Sequence, residues 1–166
     1  MTTAVYAGSF DPPTLGHLDA IERSLKIFDR VIVAIGVNTA KQPMFTVDER
    51  KLMIELSLHV SQMQRTTITS FNGLLVDFCR ENLVDVVVRG LRAVSDFESE
   101  MSIAHVNYEL ASYDTVFLPT RPGHSFVSSS TVKEIIRHSR AGTLADNLKP
   151  YVSPEVLGMI LTPHSP

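Results

Sequence analysis

Short apolar runs and amphipathic stretches alternate along almost the whole chain. Residues 3–7 form a short apolar strand, and 30–36, 85–88 and 115–118 are near-continuous apolar runs of strand length. Runs that are apolar on both faces are expected in a parallel sheet covered on each side. Residues 66–71 alternate in polarity and read as a shorter strand. Between the strands the period changes to 3.6: Leu18, Ile21, Leu25 and Phe28 share one helical face. Thr46 to Glu49 forms a capping box, which predicts a helix running on through Leu52, Leu56 and Val60. Residues 74–82 read as a helix, and 96–112 is the longest helical stretch. A further helix follows the serine run 128–130, and Pro154 opens a last short one. Strand–helix alternation implies right-handed crossovers and an open sheet. The expected fold is therefore α/β, a single-domain, Rossmann-like, doubly wound parallel sheet of five strands with helices on both faces. Residues 1–161 would form the domain, and 162–166 a disordered tail.

The 166 residues suffice for one domain with a substantial core and not for two ordinary ones. A formal charge of −3 argues against a nucleic-acid-coating protein, so any phosphate site must be a local cluster of basic groups. No stretch approaches the ~18 to 20 apolar residues of a membrane span, and the N-terminus lacks the basic region of a signal peptide. The expectation is a cytoplasmic protein without a membrane partner. Cys79, the single cysteine, leaves no internal disulfide to form, and its apolar neighbours suggest a buried thiol.

In an open α/β sheet, ligands bind outside the carboxyl ends of the strands, near a switch in strand order. Four polar segments lie just after strands. The first is Gly8-Ser9-Phe10-Asp11-Pro12-Pro13-Thr14-Leu15-Gly16-His17, a strand exit rich in Gly and Pro with a histidine in the first turn of the next helix. Helix N-termini offer unpaired N–H groups and a partial positive charge to phosphate, and an imidazole adds a donor. Neither a dinucleotide fingerprint nor a P-loop is present. The second segment runs from Asn38 to Phe45 and carries Lys41; the third is Arg89-Gly90-Leu91-Arg92, two arginines suited to clamping phosphates. The fourth is His124-Ser125-Phe126-Val127-Ser128-Ser129-Ser130, where three serines exceed the need for one helix cap and make a second phosphate cradle. His59, His105, His138 and His164 are scattered without ligand spacing, so no protein metal site is expected.

Thr14 to His17 resembles the T/H-x-G-H signature of the nucleotidylyltransferase superfamily, which is related to the HIGH motif of class I aminoacyl-tRNA synthetases. The combination of G-S-F-D-P-x-x-x-G-H, K-x-P-M-F, R-G-L-R-A-x-x-D-F-E-x-E and S-F-V-S-S-S is similar to the bacterial phosphopantetheine adenylyltransferases, from about Ala4 to Arg137. That resemblance implies transfer of AMP from ATP to 4′-phosphopantetheine, giving dephospho-coenzyme A and pyrophosphate. By matched position, Ser9, Phe10, His17, Gly90, Leu91, Arg92, Glu100 and residues His124 through Ser130 would contact ATP. Ser9, Lys41, Leu75, Arg89 and Asn107 would hold the acceptor, Leu75 through its backbone. His17, Lys41 and Arg92 would donate to the developing charge, with Ser9 orienting the nucleophile. Two departures, Ser99 in place of a frequent tyrosine and His124 in place of an aromatic residue, lie at the nucleotide's edge.

The resemblance further implies Mg²⁺ carried by the ATP phosphates, feedback by coenzyme A and a homo-hexamer. Catalysis would come from positioning and charge stabilisation during direct in-line attack, because the attacking phosphate is already an anion. Rival readings are a related nucleotidyltransferase acting on nicotinate mononucleotide or a small phosphorylated alcohol, and a non-catalytic nucleotide-sensing module.

Overall fold

The computed structural model describes residues 1–38, 40, 42–140 and 142–162, with Val94 and Ser95 as backbone. Its strands are β1 (Thr3–Gly8), β2 (Arg30–Val37), β3 (Thr66–Asn72), β4 (Val86–Leu91) and β5 (Thr115–Pro119). The helices are α1 (Leu15–Ile27), α2 (Val47–Ser57), α3 (Val60–Met63), α4 (Leu75–Glu81), α5 (Val94–Ala111), α6 (Ser129–His138), α7 (Leu144–Leu148) and α8 (Pro154–Leu161). All strand pairs are parallel, in the order β3-β2-β1-β4-β5. The order reverses between β1 and β4, and their carboxyl ends open a crevice there.

Alternation along each strand explains why the runs look apolar throughout. Ala4, Tyr6, Val33, Ile35 and Val88 pack with Ala20, Ile21, Leu25 and Phe28 of the α1 side. Val5, Ala7, Ile32, Ala34 and Val87 pack on the opposite face with Phe78 and Cys79 of α4. Both faces are covered, as the pattern predicts. Cys79 is fully buried, and burial pushes its thiol up to about 11. A third cluster joins Phe45, Met53, Val132, Leu148, Val152 and Val156, so the C-terminal helices close against α2.

Three boundaries differ from expectation. The capping box at Thr46 forms, with the Glu49 carboxylate accepting from the Thr46 N–H at 2.7 Å, but α2 ends at Ser57 and does not continue to Val60. Leu52, Leu56 and Val60 stay exposed; the buried face is Arg50, Met53 and Ile54. Packing on two sides selects that face: Ile54 joins the cluster between the sheet and α1, Met53 packs with Val156 of α8, and Ser57 shares a 2.7 Å hydroxyl contact with Ser153. The second difference is in β4, which continues to Leu91 and pairs with β5 as far as Pro119, so Arg89 and Gly90 belong to the strand itself. Third, α5 starts at Val94 and closes on Ser112 in the left-handed region, φ 56°. Thr162 caps the end of α8 through the Gly158 carbonyl, and residues 163–166 lie outside the described residues.

Candidate functional site

Beyond β1 the chain turns inward. Phe10 has φ 48° and is fully buried, its ring edge-on to Tyr6 at 5.5 Å and to His17 at 5.0 Å. A Cβ on Gly8 would stand 3.2 Å from the Phe10 ring, which is why a glycine precedes it. With its side chain in the core, Phe10 can meet a ligand only through its backbone, and the exposed Ser9 is the side chain this turn presents.

Three elements hold the turn. Arg50 of α2, 4% exposed, donates to the Ser9 carbonyl at 2.8 Å. The buried Asp11 carboxylate accepts from the backbone N–H groups of Met44 and Phe45 at 3.0 and 2.9 Å. It also pairs with Lys133 of α6 at 3.1 Å. Ser129 donates its hydroxyl to the Pro12 carbonyl at 2.8 Å. None of Arg50, Asp11 and Lys133 is marked out as functional by the motif reading. Asp11 stands in the quoted G-S-F-D-P motif without an assigned role, and the only signal of Arg50 and Lys133 is a charged residue at a position that packing covers.

Helix α1 begins with Thr14 as its N-cap. The Thr14 N–H donates to His17 Nδ1 at 3.0 Å, with the Thr14 hydroxyl at the same distance. A ring nitrogen that accepts an amide hydrogen is unprotonated, so the proton resides on Nε2. Burial, followed by the positive charges of Arg92 and Arg89, lowers the His17 pKa to about 4. Of the two options for a histidine at a helix start, cation or neutral donor, this is the neutral donor. Its Nε2–H is the atom available to the cavity His17 lines.

Arg89 is fixed from two sides. Its Nε and Nη2 bind both oxygens of Glu100 at 2.5 and 2.7 Å, and Nη1 donates to the Ala7 carbonyl at 2.5 Å. Burial works against the charge, but the hydrogen bonds and charge of Glu100 more than offset it, so Arg89 titrates above its ordinary value. Each terminal nitrogen keeps one uncommitted N–H for an anion. Arg92 stands more exposed, its Nε 3.2 Å from Asp96.

The serine run divides its labour. Ser128 caps α6, accepting from the Thr131 N–H at 3.0 Å. Ser129 ties to Pro12, and the Ser130 hydroxyl makes no hydrogen bond with the described residues. These parts enclose a cavity of about 310 Å³ at the switch point. It brings together Ser9, His17, Arg89, Gly90, Arg92, Glu100 and Val127 through Ser130, residues from segments far apart in the chain. Asp96, part of the quoted motif but given no site role, joins them, as do Tyr6 and Thr120, which the sequence did not single out.

Other expected contacts sit elsewhere. His124 faces a separate hollow of about 210 Å³ with Asp19, His59 and Arg121, and its buried Nδ1 has no hydrogen-bond partner among the described residues. Phe126 is exposed and packs edge-on to Tyr151 at 5.5 Å, while Ser125 caps the short turn before it through the Pro122 carbonyl. Leu91 ends β4, next to the cavity-lining Gly90 but outside the lining. Leu75 packs on the core cluster, as does Phe71, which lines an open hollow with Gly36, Val37, Asn38, Asn72 and Gly73; Leu75 is not part of that lining. Asn107 is buried on α5 outside the main cavity. Lys41 lies outside the described residues.

The chain matches the cytidylyltransferase-like family over residues 5–135. It is 46% identical over 155 residues to the phosphopantetheine adenylyltransferase of Natranaerobius thermophilus, covering 92% of this chain and 94% of that protein. With the phosphopantetheine adenylyltransferase of Heliobacterium modesticaldum the identity is 49% over 153 residues, covering 92% and 89%. A Plasmodium falciparum nicotinic acid mononucleotide adenylyltransferase complexed with NaAD superposes with a TM-score of 0.65 at 16% identity, covering 96% of this chain and 94% of that one. At that identity the likeness establishes the shared fold.

Proposed function

This chain belongs to the phosphopantetheine adenylyltransferase family, and we propose that its cavity transfers AMP from ATP to 4′-phosphopantetheine. The observation that carries the reading is the neutral His17, held by Thr14 with its Nε2–H available to the cavity, beside Arg89 and Arg92. A group of this kind donates to growing negative charge without itself needing to lose a proton.

In the step proposed, an oxygen of the acceptor phosphate bonds to the α-phosphorus of ATP. The bond from that phosphorus to the bridging oxygen breaks, and its electron pair leaves on pyrophosphate. His17 and Arg92 donate to the non-bridging oxygens as their charge rises, and Lys41 is assigned the same duty by its matched position. Ser9 orients the nucleophile, and Arg89 holds the acceptor phosphate through the N–H groups that Glu100 and Ala7 leave uncommitted. The amides and serines at the start of α6 cradle the triphosphate. The open hollow beyond β2 and β3 is read as the path of the pantetheine arm, and Leu75 is assigned to the acceptor by its matched position.

The cavity carboxylates Glu100 and Asp96 are paired with arginines. Mg²⁺ enters the proposal as an ion that arrives on the ATP phosphates, as the family resemblance implies. A hexamer is supported by apolar side chains left outside on α5, among them Ile103, Val106 and Leu110. Competition by coenzyme A, which shares the product's chemistry, and a cytoplasmic setting complete the proposal.

The test is pyrophosphate release from ATP against a panel of phosphorylated acceptors, with and without Mg²⁺. Turnover with 4′-phosphopantetheine should exceed that with nicotinate mononucleotide and small phosphorylated alcohols by orders of magnitude. Faster turnover on another acceptor overturns the substrate, and ATP binding without turnover on any acceptor overturns the reaction.

A further inference from the structure

Tyr6 lies within β1, in register with Val33 of β2 and Val88 of β4. Its ring packs on the α1 face against Phe10, with the His17 ring 6.4 Å away, centroid to centroid. The residue is 6% exposed, yet it lines the cavity, and its hydroxyl makes no hydrogen bond with any described residue. The oxygen stands 3.5 Å from where a Cβ on Gly90 would be, in the field of both Arg89 and Glu100. The ring is buried while the hydroxyl opens on the cavity, and a tyrosine placed in this way, apolar body inside and polar tip at a pocket, usually hydrogen-bonds what occupies the pocket. Phenylalanine would supply the same packing against Phe10 and His17. What the tyrosine adds is one donor directed to the space that substrate occupies.

We infer that the Tyr6 hydroxyl is a further substrate-binding group of this site, donating to a phosphate oxygen bound between His17 and Arg89. Burial raises its pKa to about 12, so it stays a protonated phenol at neutral pH and acts as a donor. Two phosphates share this chemistry, the α-phosphate of ATP and the phosphate of the acceptor. The inference rests on the adenylyl-transfer reading only for the identity of those two ligands.

Tyr6→Phe tests it, with binding of ATP and of 4′-phosphopantetheine measured separately by calorimetry and steady-state kinetics run beside them. Affinity for one of the two ligands should fall about 10- to 100-fold, the scale of a hydrogen bond to a charged acceptor. The ligand affected identifies the phosphate. A fall confined to kcat, with both affinities kept, supports the inference equally and places the bond in the transition state. The melting temperature without ligand should be unchanged, since the hydroxyl removed faces the cavity and bonds to no described residue while the ring packing is kept. Unchanged affinities and kcat overturn the inference. So does a lowered melting temperature with both affinities reduced alike, which marks a structural residue. Wild-type protein that ignores 4′-phosphopantetheine sinks the acceptor reading instead, while the ATP arm still decides the role of Tyr6.

Discussion

His17 shows how a side chain's duty follows from what surrounds it. Accepting the Thr14 N–H fixes the tautomer, and burial beside two arginines keeps the ring uncharged. His17→Ala should lower kcat by at least ~10², the usual scale for one transition-state donor. An unchanged kcat in the folded variant would remove His17 from the chemistry. The depressed pKa also fixes a pH dependence. Between about 4 in the folded protein and 6.5 when unfolded, the unfolded state binds more protons. The stability tied to the neutral ring is therefore complete above pH 6.5 and drains away as pH falls toward 4. By the same logic kcat should show no ionisation of His17 near 6.5; an NMR titration of the ring that puts its midpoint there refutes the neutral-donor assignment. At Arg89 the expected effect of substitution by alanine is a weakened response to 4′-phosphopantetheine with ATP binding largely kept. Calorimetry with each ligand checks this, and an equal loss of ATP affinity means the cavity is divided differently. Because Glu100 would lose its partner, the same variant should also melt at a lower temperature.

Among the elements, α6 links the two halves of the site. Its N-terminus carries the serine cradle, while Lys133, one turn on, pairs with the Asp11 carboxylate that also holds the loop at Met44 and Phe45. Removing one partner of a buried pair leaves an uncompensated charge and costs about 3–5 kcal/mol. Lys133→Met should accordingly lower the melting temperature by several degrees and raise KM for ATP, whereas Lys133→Arg should restore much of both. A Lys133→Met protein with wild-type melting and wild-type KM would show that the pair positions nothing. Helix α2 teaches a different lesson. Its cap was legible because a capping box is local, three residues from end to end. Its buried face was not, because Leu52, Leu56 and Val60 fit a helical period as well as Arg50, Met53 and Ile54 do, and only the packing of α2 on the sheet, α8 and the Ser9 turn decides between the two.

At the scale of the molecule, the apolar residues left outside on α5 bear on assembly. Val106→Glu, at a position 55% exposed in the single chain, should cost the fold little and break the proposed hexamer into smaller species. Sedimentation velocity reads this directly, and an unchanged mass would take α5 out of the interface. The parallel sheet, the order of its elements and the four motif segments were determined by the sequence alone. They depend on the period of apolar positions, on caps and on short motifs, all of which act between near neighbours. Tertiary structure decided which segments meet and in what electrical state. It extended β4 through Arg89, turned Phe10 into the core, carried His124 to a different hollow and opened the hydroxyl of Tyr6 to the cavity. Asp11 and Lys133 are 122 residues apart, and no local pattern records their pairing. The physical reason is the same in each case: burial and long-range contact set pKa values, partners and orientation, and both exist only once the sheet has brought β1 and β4 side by side.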